Sequence, residues 1–147
     1  MSGGWVFQRF GGIDQLLVRD AEDLARIDEL DEARWAATSM PIDQVDADKA
    51  FLGFLDFDHN GRVRVHEVKE ARHWLWARLS GRSHIAERTT TLLLNDIDVS
   101  SPDGRTLKAL AERLLSKLGS AEKDRITLDQ VRAFRASFCK TFPNGDG

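Results

Sequence analysis

The residues best suited to chemistry lie between positions 56 and 67, where oxygen-bearing side chains recur at alternate positions. Asp56, Asp58 and Asn60 are followed by Gly61, and Glu67 ends the stretch. In a tightly curled loop alternate side chains point inward, so three of these oxygens can converge on one ion. Glycine permits the sharp turn that a Cβ would obstruct. The set fits a hard cation that prefers oxygen ligands.

This spacing resembles the calcium-binding loop of the EF-hand family. The resemblance implies that Asp56, Asp58 and Asn60 bind Ca²⁺ through their side chains. It also implies that Arg62 binds through its backbone carbonyl and Glu67 through both carboxylate oxygens. The apolar residues that flank the loop agree with the family pattern: Phe51, Leu52 and Leu55 before it, and Val68, Ala71 and Leu75 after it.

The charges around the loop predict a moderate affinity. Arg64 stands at the ninth position, where the family usually has a small polar residue, and it adds a second positive charge next to Arg62. Three carboxylates and one asparagine, weakened by two arginines, predict a Kd on the order of 10⁻⁶–10⁻⁴ M.

A second, degenerate hand is expected because EF-hands normally work in pairs whose loops are joined by a short β bridge. Residues 119–130 fit that place, with Ile126 opposite Val63. The four ligand positions hold residues that cannot bind a cation: Gly119, Ala121, Lys123 and Gln130. The preferred interpretation is a hand retained for packing, and the alternative is an unrelated helix–turn–helix.

The remaining elements follow from turn and capping signals. Residues 5–18 read as a β-hairpin around Gly11-Gly12. A helix is expected from Ala21 to about residue 38, and another from Asp43 or Asp46 to about residue 55. In the second half, Ser101-Pro102 predicts the start of a helix, and Thr127 to Gln130 reads as a capping box.

These signals together predict a mostly α fold, an EF-hand pair with an N-terminal β-hairpin and a short β bridge between the loops. The expected domains are residues 1–45 (hairpin and helices), 46–139 (the pair, with an insertion at 80–101) and a tail at 140–147. The tail resembles the opening of another acidic turn, so a fragment of a longer protein is expected. Gly-Gly-Ile-Asp-Gln in the hairpin, together with the loop, resembles the beginning of long bacterial proteins that have no known activity.

Composition excludes several classes of protein. With 21 Lys and Arg against 24 Asp and Glu, the net charge of −3 argues against a nucleic-acid partner. The longest apolar run is four residues, far below the ~20 that cross a bilayer. Cys139 is the single cysteine and is expected to be a small buried hydrophobe, which favours a reducing, cytoplasmic location.

The sequence leaves the role open. No grouping typical of nucleophilic catalysis is present, so a noncatalytic calcium protein is predicted, with another protein or another domain as its partner. Calcium would either act as a structural ion, the favoured interpretation, or open the protein as a sensor does. One alternative is a calcium-independent interaction module. The other is a zinc-dependent enzyme that uses His66, Glu70 and His73, which share one helix face.

Overall fold

The structure, a computed structural model, describes residues 4–141, and side chains as far as Phe138. The chain forms two compact units, which divide between Leu75 and Trp76. Residues 142–147 of the predicted tail and the side chain of Cys139 lie outside the described part. The predicted domain ranges remain a prediction.

The first unit begins with a β-hairpin, as predicted. Strand β1 (Phe7–Phe10) pairs antiparallel with β2 (Ile13–Leu16). Gly11 and Gly12 have φ angles of 53° and 88°, which a residue without a Cβ adopts at little cost. The glycine pair therefore makes the tight turn.

The helix that follows is much shorter than expected. Helix α1 covers only Ala21–Ala25, and two single 3₁₀ turns at 27–29 and 32–34 replace the predicted continuation to residue 38. The chain becomes extended at Leu30 (ψ 121°), and the Asp31 carboxylate then accepts a hydrogen bond from the Ala33 N–H (2.8 Å). Short acidic side chains compete in this way with helical hydrogen bonds, so the prediction of one long helix is wrong.

The rest of the first unit surrounds the acidic loop. Its elements are β3 (Ser39–Pro41), α2 (Lys49–Leu55), β4 (Arg62–Arg64) and α3 (Val65–Trp76). Strand β3 pairs antiparallel with β4, so that Met40 lies opposite Val63. The buried apolar side chains of this unit come from the segment after α1 and from the elements around the acidic loop: Ile27, Leu30, Leu52, Val63 and Val65.

The second unit repeats this element order. It contains β5 (Thr91–Leu93), α4 (Pro102–Lys117), β6 (Arg125–Thr127) and α5 (Leu128–Thr141). Strand β5 pairs antiparallel with β6, with Leu92 opposite Ile126. The core of the unit is formed by Leu79, Leu94, Ile97, Ala111, Leu115 and Ile126.

Two predicted caps in this unit are confirmed. The Ser101 hydroxyl accepts a hydrogen bond from the Gly104 N–H (3.0 Å) at the start of α4. At the start of α5, the Gln130 side chain accepts from the Thr127 N–H (2.8 Å), and the Thr127 hydroxyl accepts from the Gln130 N–H (3.2 Å). Reciprocal bonds of this kind define a capping box and fix where the helix begins.

The predicted fold class is wrong. Over residues 4–141 the structure is 49% helical and 16% strand, with five α-helices and three two-stranded antiparallel sheets, which is a mixed α/β fold rather than a mostly α EF-hand pair. Within the described residues, Val63 and Ile126 do not form a bridge between the loops. Strands β3 and β5, which the sequence analysis did not predict, take that place in their respective units.

Candidate metal centre

The acidic loop at residues 56–67, called the first loop below, runs from the end of α2 to the first turn of α3. Helix α2 begins where Asp48 accepts a hydrogen bond from the Phe51 N–H (3.1 Å). The chain then turns sharply, because His59 (φ 56°) and Gly61 (φ 78°) both adopt left-handed conformations. These two residues allow the loop to curl back over its first carboxylate.

Asp56 is the centre of the curl. It is buried, with 5% of its surface exposed. Its Oδ1 accepts a hydrogen bond from the Asn60 N–H (3.0 Å) and its Oδ2 accepts one from the Gly61 N–H (2.9 Å). Asp58 is exposed and also binds Asn60, accepting from the backbone N–H (3.1 Å) and from Nδ2 (2.6 Å). The first three predicted ligand residues are therefore connected to one another.

Glu67 reaches this cluster from α3, and its side chain is completely buried. Its Oε2 accepts a hydrogen bond from the Arg64 N–H (2.7 Å). Its Oε1 is also buried and has no hydrogen-bond partner among the described residues. One oxygen each from Asp56, Asp58 and Glu67 lie within 4.8 Å of one another. Leaving a buried carboxylate oxygen without a donor or a cation is costly.

The hydrogen bonds of the loop keep Asp58 ionised. Burial acts to raise the pKa of its carboxyl, but hydrogen bonds from the Asn60 backbone N–H and side-chain amide, together with the nearby positive charge of Arg64, act to lower it. The pKa of Asp58 therefore lies below its usual value. A negative Asp58 beside two further carboxylates gives the cluster a strong attraction for a cation.

The arginine at the seventh position of the loop points its charge towards β3. The Arg62 guanidinium donates to the Ser39 hydroxyl (2.6 Å) and to the Ser39 carbonyl (3.3 Å). The Arg62 backbone N–H donates to Asn60 Oδ1 (3.0 Å). Arg62 thus uses its side chain to hold the two strands together, a role that the sequence analysis did not anticipate.

The alternative zinc residues are not brought into one cluster. The His66 ring lies edge-on to Phe57, with 5.7 Å between the ring centroids. His73 Nε2 lies 2.9 Å from Asp28 Oδ2, and its Nδ1 lies 3.9 Å from Glu70 Oε1. In the described part of the chain, the group of metal-ligating side chains that could hold an ion is the one formed by Asp56, Asp58 and Glu67.

A repeat in the sequence could have revealed the missed strands. Two segments are similar: Thr38-Ser-Met-Pro-Ile42 and Thr90-Thr-Leu-Leu-Leu94. Three residues after the first comes Val45-Asp46, and three residues after the second comes Ile97-Asp98. These segments are 52 residues apart, whereas the two loops are 63 residues apart. Helix α4 has 16 residues and α2 has 7, which accounts for most of this difference. A search for repeats at one fixed spacing therefore does not find both the strands and the loops.

Comparison of the chain with protein-family models, with curated proteins and with solved structures found no match in any of the three. Among the described residues, every helix is too short or too polar to cross a membrane. The geometry of the first loop is therefore the best indication of what the chain binds.

Proposed function

We propose that this chain is a noncatalytic calcium-binding protein that binds one Ca²⁺ in the first loop. The observation that carries the proposal is the state of Glu67, which is fully buried and has one carboxylate oxygen without a donor. That oxygen belongs to a side chain within reach of two further carboxylates. A divalent cation would satisfy the orphaned oxygen and offset the repulsion among three negative charges.

The chemistry of the donors favours calcium over other common metals. The cluster contains only carboxylate oxygens, and the neighbouring Asn60 carries an amide oxygen, which here accepts from the Arg62 N–H while its Nδ2 donates to Asp58. Zinc prefers nitrogen and sulfur ligands in a tetrahedral arrangement. Magnesium requires near-ideal octahedral geometry and retains several waters, whereas calcium accepts six to eight oxygens in flexible arrangements. A loop that also offers backbone carbonyls therefore fits calcium best.

The loop residues would bind the ion in the roles that the EF-hand resemblance implies. Asp56, Asp58 and Asn60 would bind the ion through their side chains, Arg62 through its backbone carbonyl, and Glu67 through its carboxylate. Because Glu67 is the third residue of α3, its bond to the ion would connect that helix to the loop. This connection supports a structural role for the ion, and binding of an apolar dye would increase with calcium only if the ion acted as a sensor switch.

An interaction module is the second candidate. Phe51 and Phe54 on α2 are 58% and 76% exposed, and Phe57 in the loop is 53% exposed. Phe51 and Phe54 are neighbours on the helix surface because they are three residues apart, and adjacent exposed apolar side chains are typical of protein contact surfaces. We infer that the partner is another protein, or another domain of a longer chain, rather than a nucleic acid.

With a single cysteine in the sequence, a cytoplasmic setting is proposed.

Calorimetric titration of chelator-stripped protein with Ca²⁺ tests the proposal. We expect one site per chain with a Kd on the order of 10⁻⁶–10⁻⁴ M, and much weaker binding of Mg²⁺. Asp56→Ala should abolish the site. Asp43→Ala is the matched control, since Asp43 is an exposed aspartate outside the loop, and it should leave binding unchanged. No heat of binding up to millimolar Ca²⁺ would contradict the proposal and favour the interaction module.

A further inference from the structure

Residues 119–130, called the second loop below, share with the first loop the strand pairing that follows the sixth position. In the first unit, the Ile42 N–H donates to the Gly61 carbonyl (3.1 Å), and in the second unit the Leu94 N–H donates to the Asp124 carbonyl (2.8 Å). The bond at the other end of the strand pair is also repeated: Val65 N–H to the Thr38 carbonyl (3.4 Å), and Leu128 N–H to the Thr90 carbonyl (2.9 Å). From the sixth position onward, equivalent residues of the two loops can therefore be compared, whereas the turns before it differ: His59 and Gly61 have positive φ angles in the first loop, and Gly119 has one in the second.

The last residue of each loop makes the same first contact. Glu67 Oε2 accepts a hydrogen bond from the Arg64 N–H at 2.7 Å. Gln130 Oε1 accepts one from the Thr127 N–H at 2.8 Å. In each side chain one terminal atom accepts this bond, which leaves the second terminal atom, Glu67 Oε1 or Gln130 Nε2, to find another partner.

These two atoms differ in what they bind. Glu67 Oε1 has no partner among the described residues. Gln130 Nε2 donates to the Ser120 hydroxyl (3.2 Å), at the second position of its loop. The Ser120 hydroxyl in turn donates its own hydrogen to the Glu122 carbonyl (2.9 Å), which leaves its lone pairs free to accept from the amide. The Ser120 hydroxyl is thus an acceptor and a donor at the same time.

We propose that the Gln130–Ser120 hydrogen bond closes the second loop in the place where the first loop takes a cation. An amide NH₂ group presents positive hydrogens to the interior of the loop, so it binds an oxygen and repels a metal ion. The second loop then keeps its conformation at any calcium concentration. If the first loop binds calcium as proposed above, the direct response to the ion is confined to the first unit.

A double-mutant cycle at Ser120 and Gln130 tests the hydrogen bond in the full chain, in the presence of chelator. The measured quantity is hydrogen exchange of the Leu128 amide, whose bond to the Thr90 carbonyl uses neither side chain. We expect Ser120→Ala to speed this exchange about three- to tenfold, as the loss of one hydrogen bond implies. In a Gln130→Met background the same change should have less than a twofold effect.

An equal effect of Ser120→Ala in both backgrounds would overturn the proposal, because Ser120 would then act only through Glu122. Absence of any effect of Ser120→Ala in the wild-type background would overturn it as well. If Gln130→Met does not fold, Gln130→Glu serves as the second background, since it keeps the acceptor for the Thr127 N–H while removing the amide donor. None of these results depends on calcium binding, so a failure of the proposed function would not be mistaken for a failure of this inference.

Discussion

Replacement of Glu67 by glutamine is expected to have opposite effects in the absence and in the presence of calcium. Without calcium, the fully buried carboxylate has one satisfied oxygen and one orphaned oxygen. Glutamine keeps the acceptor for the Arg64 N–H and removes the buried charge. Its new NH₂ group has oxygens of Asp56 and Asp58 as nearby acceptors, because the three carboxylates lie within 4.8 Å of one another.

The size of each effect follows from this geometry. Relief of one buried, unsatisfied polar atom corresponds to about 1–3 kcal/mol, so Glu67→Gln should stabilise the calcium-free protein by that amount. In about 1 mM Ca²⁺, mass action should stabilise the wild type by about 1.4–4.1 kcal/mol for a Kd between roughly 10⁻⁴ and 10⁻⁶ M. The variant should gain almost nothing, because it lacks the carboxylate that binds the ion from α3.

Urea denaturation followed by tryptophan emission measures both effects. Trp5, Trp35 and Trp74 all lie in the first unit, so the emission reports mainly on the unit that contains the loop. Glu70→Gln is the matched control, because it makes the same chemical change on the same helix at a side chain that is 65% exposed. The control should change neither stability nor the calcium response by more than about 0.5 kcal/mol. A Glu67→Gln variant that is less stable than the wild type in chelator would refute the reasoning.

Three further predictions concern other contacts. Ser39→Ala removes an acceptor of the Arg62 guanidinium and should lower the free energy of unfolding, measured in urea, by about 1 kcal/mol. Calorimetry should show severalfold weaker calcium binding. If neither value changes, the proposed role of Arg62 in holding β4 is contradicted. A hydrogen bond to Glu87 raises the pKa of His84 above 6.5, so the pair should stabilise the protein fully below about pH 6.5 and lose its effect as the pH rises through the raised pKa. NMR titration should show that Glu87→Gln returns the pKa of His84 towards 6.5, and no change would show that another group raises it. Leu115→Ala, at a side chain with no exposed surface, should lower the free energy of unfolding of the second unit by about 2–5 kcal/mol in hydrogen exchange, and a loss below 1 kcal/mol would contradict its place in the core.

The local signals in the sequence were strong where one residue type is required by backbone or hydrogen-bond geometry. Gly11-Gly12 marked the hairpin because both residues have positive φ angles. Ser101 and the Thr127–Gln130 box marked helix starts, because their side chains satisfy N–H groups that the helix leaves unpaired. The spacing of the acidic residues likewise indicated which carboxylates lie together.

These local signals did not predict which strands pair with each other. Val63 and Ile126 both looked suited to a β bridge, but a three-residue strand carries no information about which edge it will join. The actual partners are Met40 and Leu92, whose segments are short and follow or precede turns. Local pattern therefore predicted that β4 and β6 exist, whereas contacts across the fold decided that each pairs within its own unit.

The orphaned oxygen was also invisible in the sequence. A glutamate at the last loop position is compatible with a vestigial loop as well as with a working one, and only burial distinguishes them. The contrast between Glu67 and Gln130 became meaningful once Ser120 was seen to accept a hydrogen bond from the glutamine amide. A physical criterion for a cation-dependent loop is thus whether the second terminal atom of that residue has a partner within the protein.

Titration of ¹⁵N-labelled, chelator-stripped protein with Ca²⁺, followed by amide NMR, tests the central claim most directly. The Gly61 and Asn60 N–H groups donate to the Asp56 carboxylate, so their resonances report on any ion bound there. We predict that both resonances shift and saturate at one equivalent of Ca²⁺ per chain, and that Asp56→Ala abolishes the response. Resonances of the loop that remain unchanged at millimolar Ca²⁺, or shifts confined to residues outside 56–67, would contradict the assignment of the site.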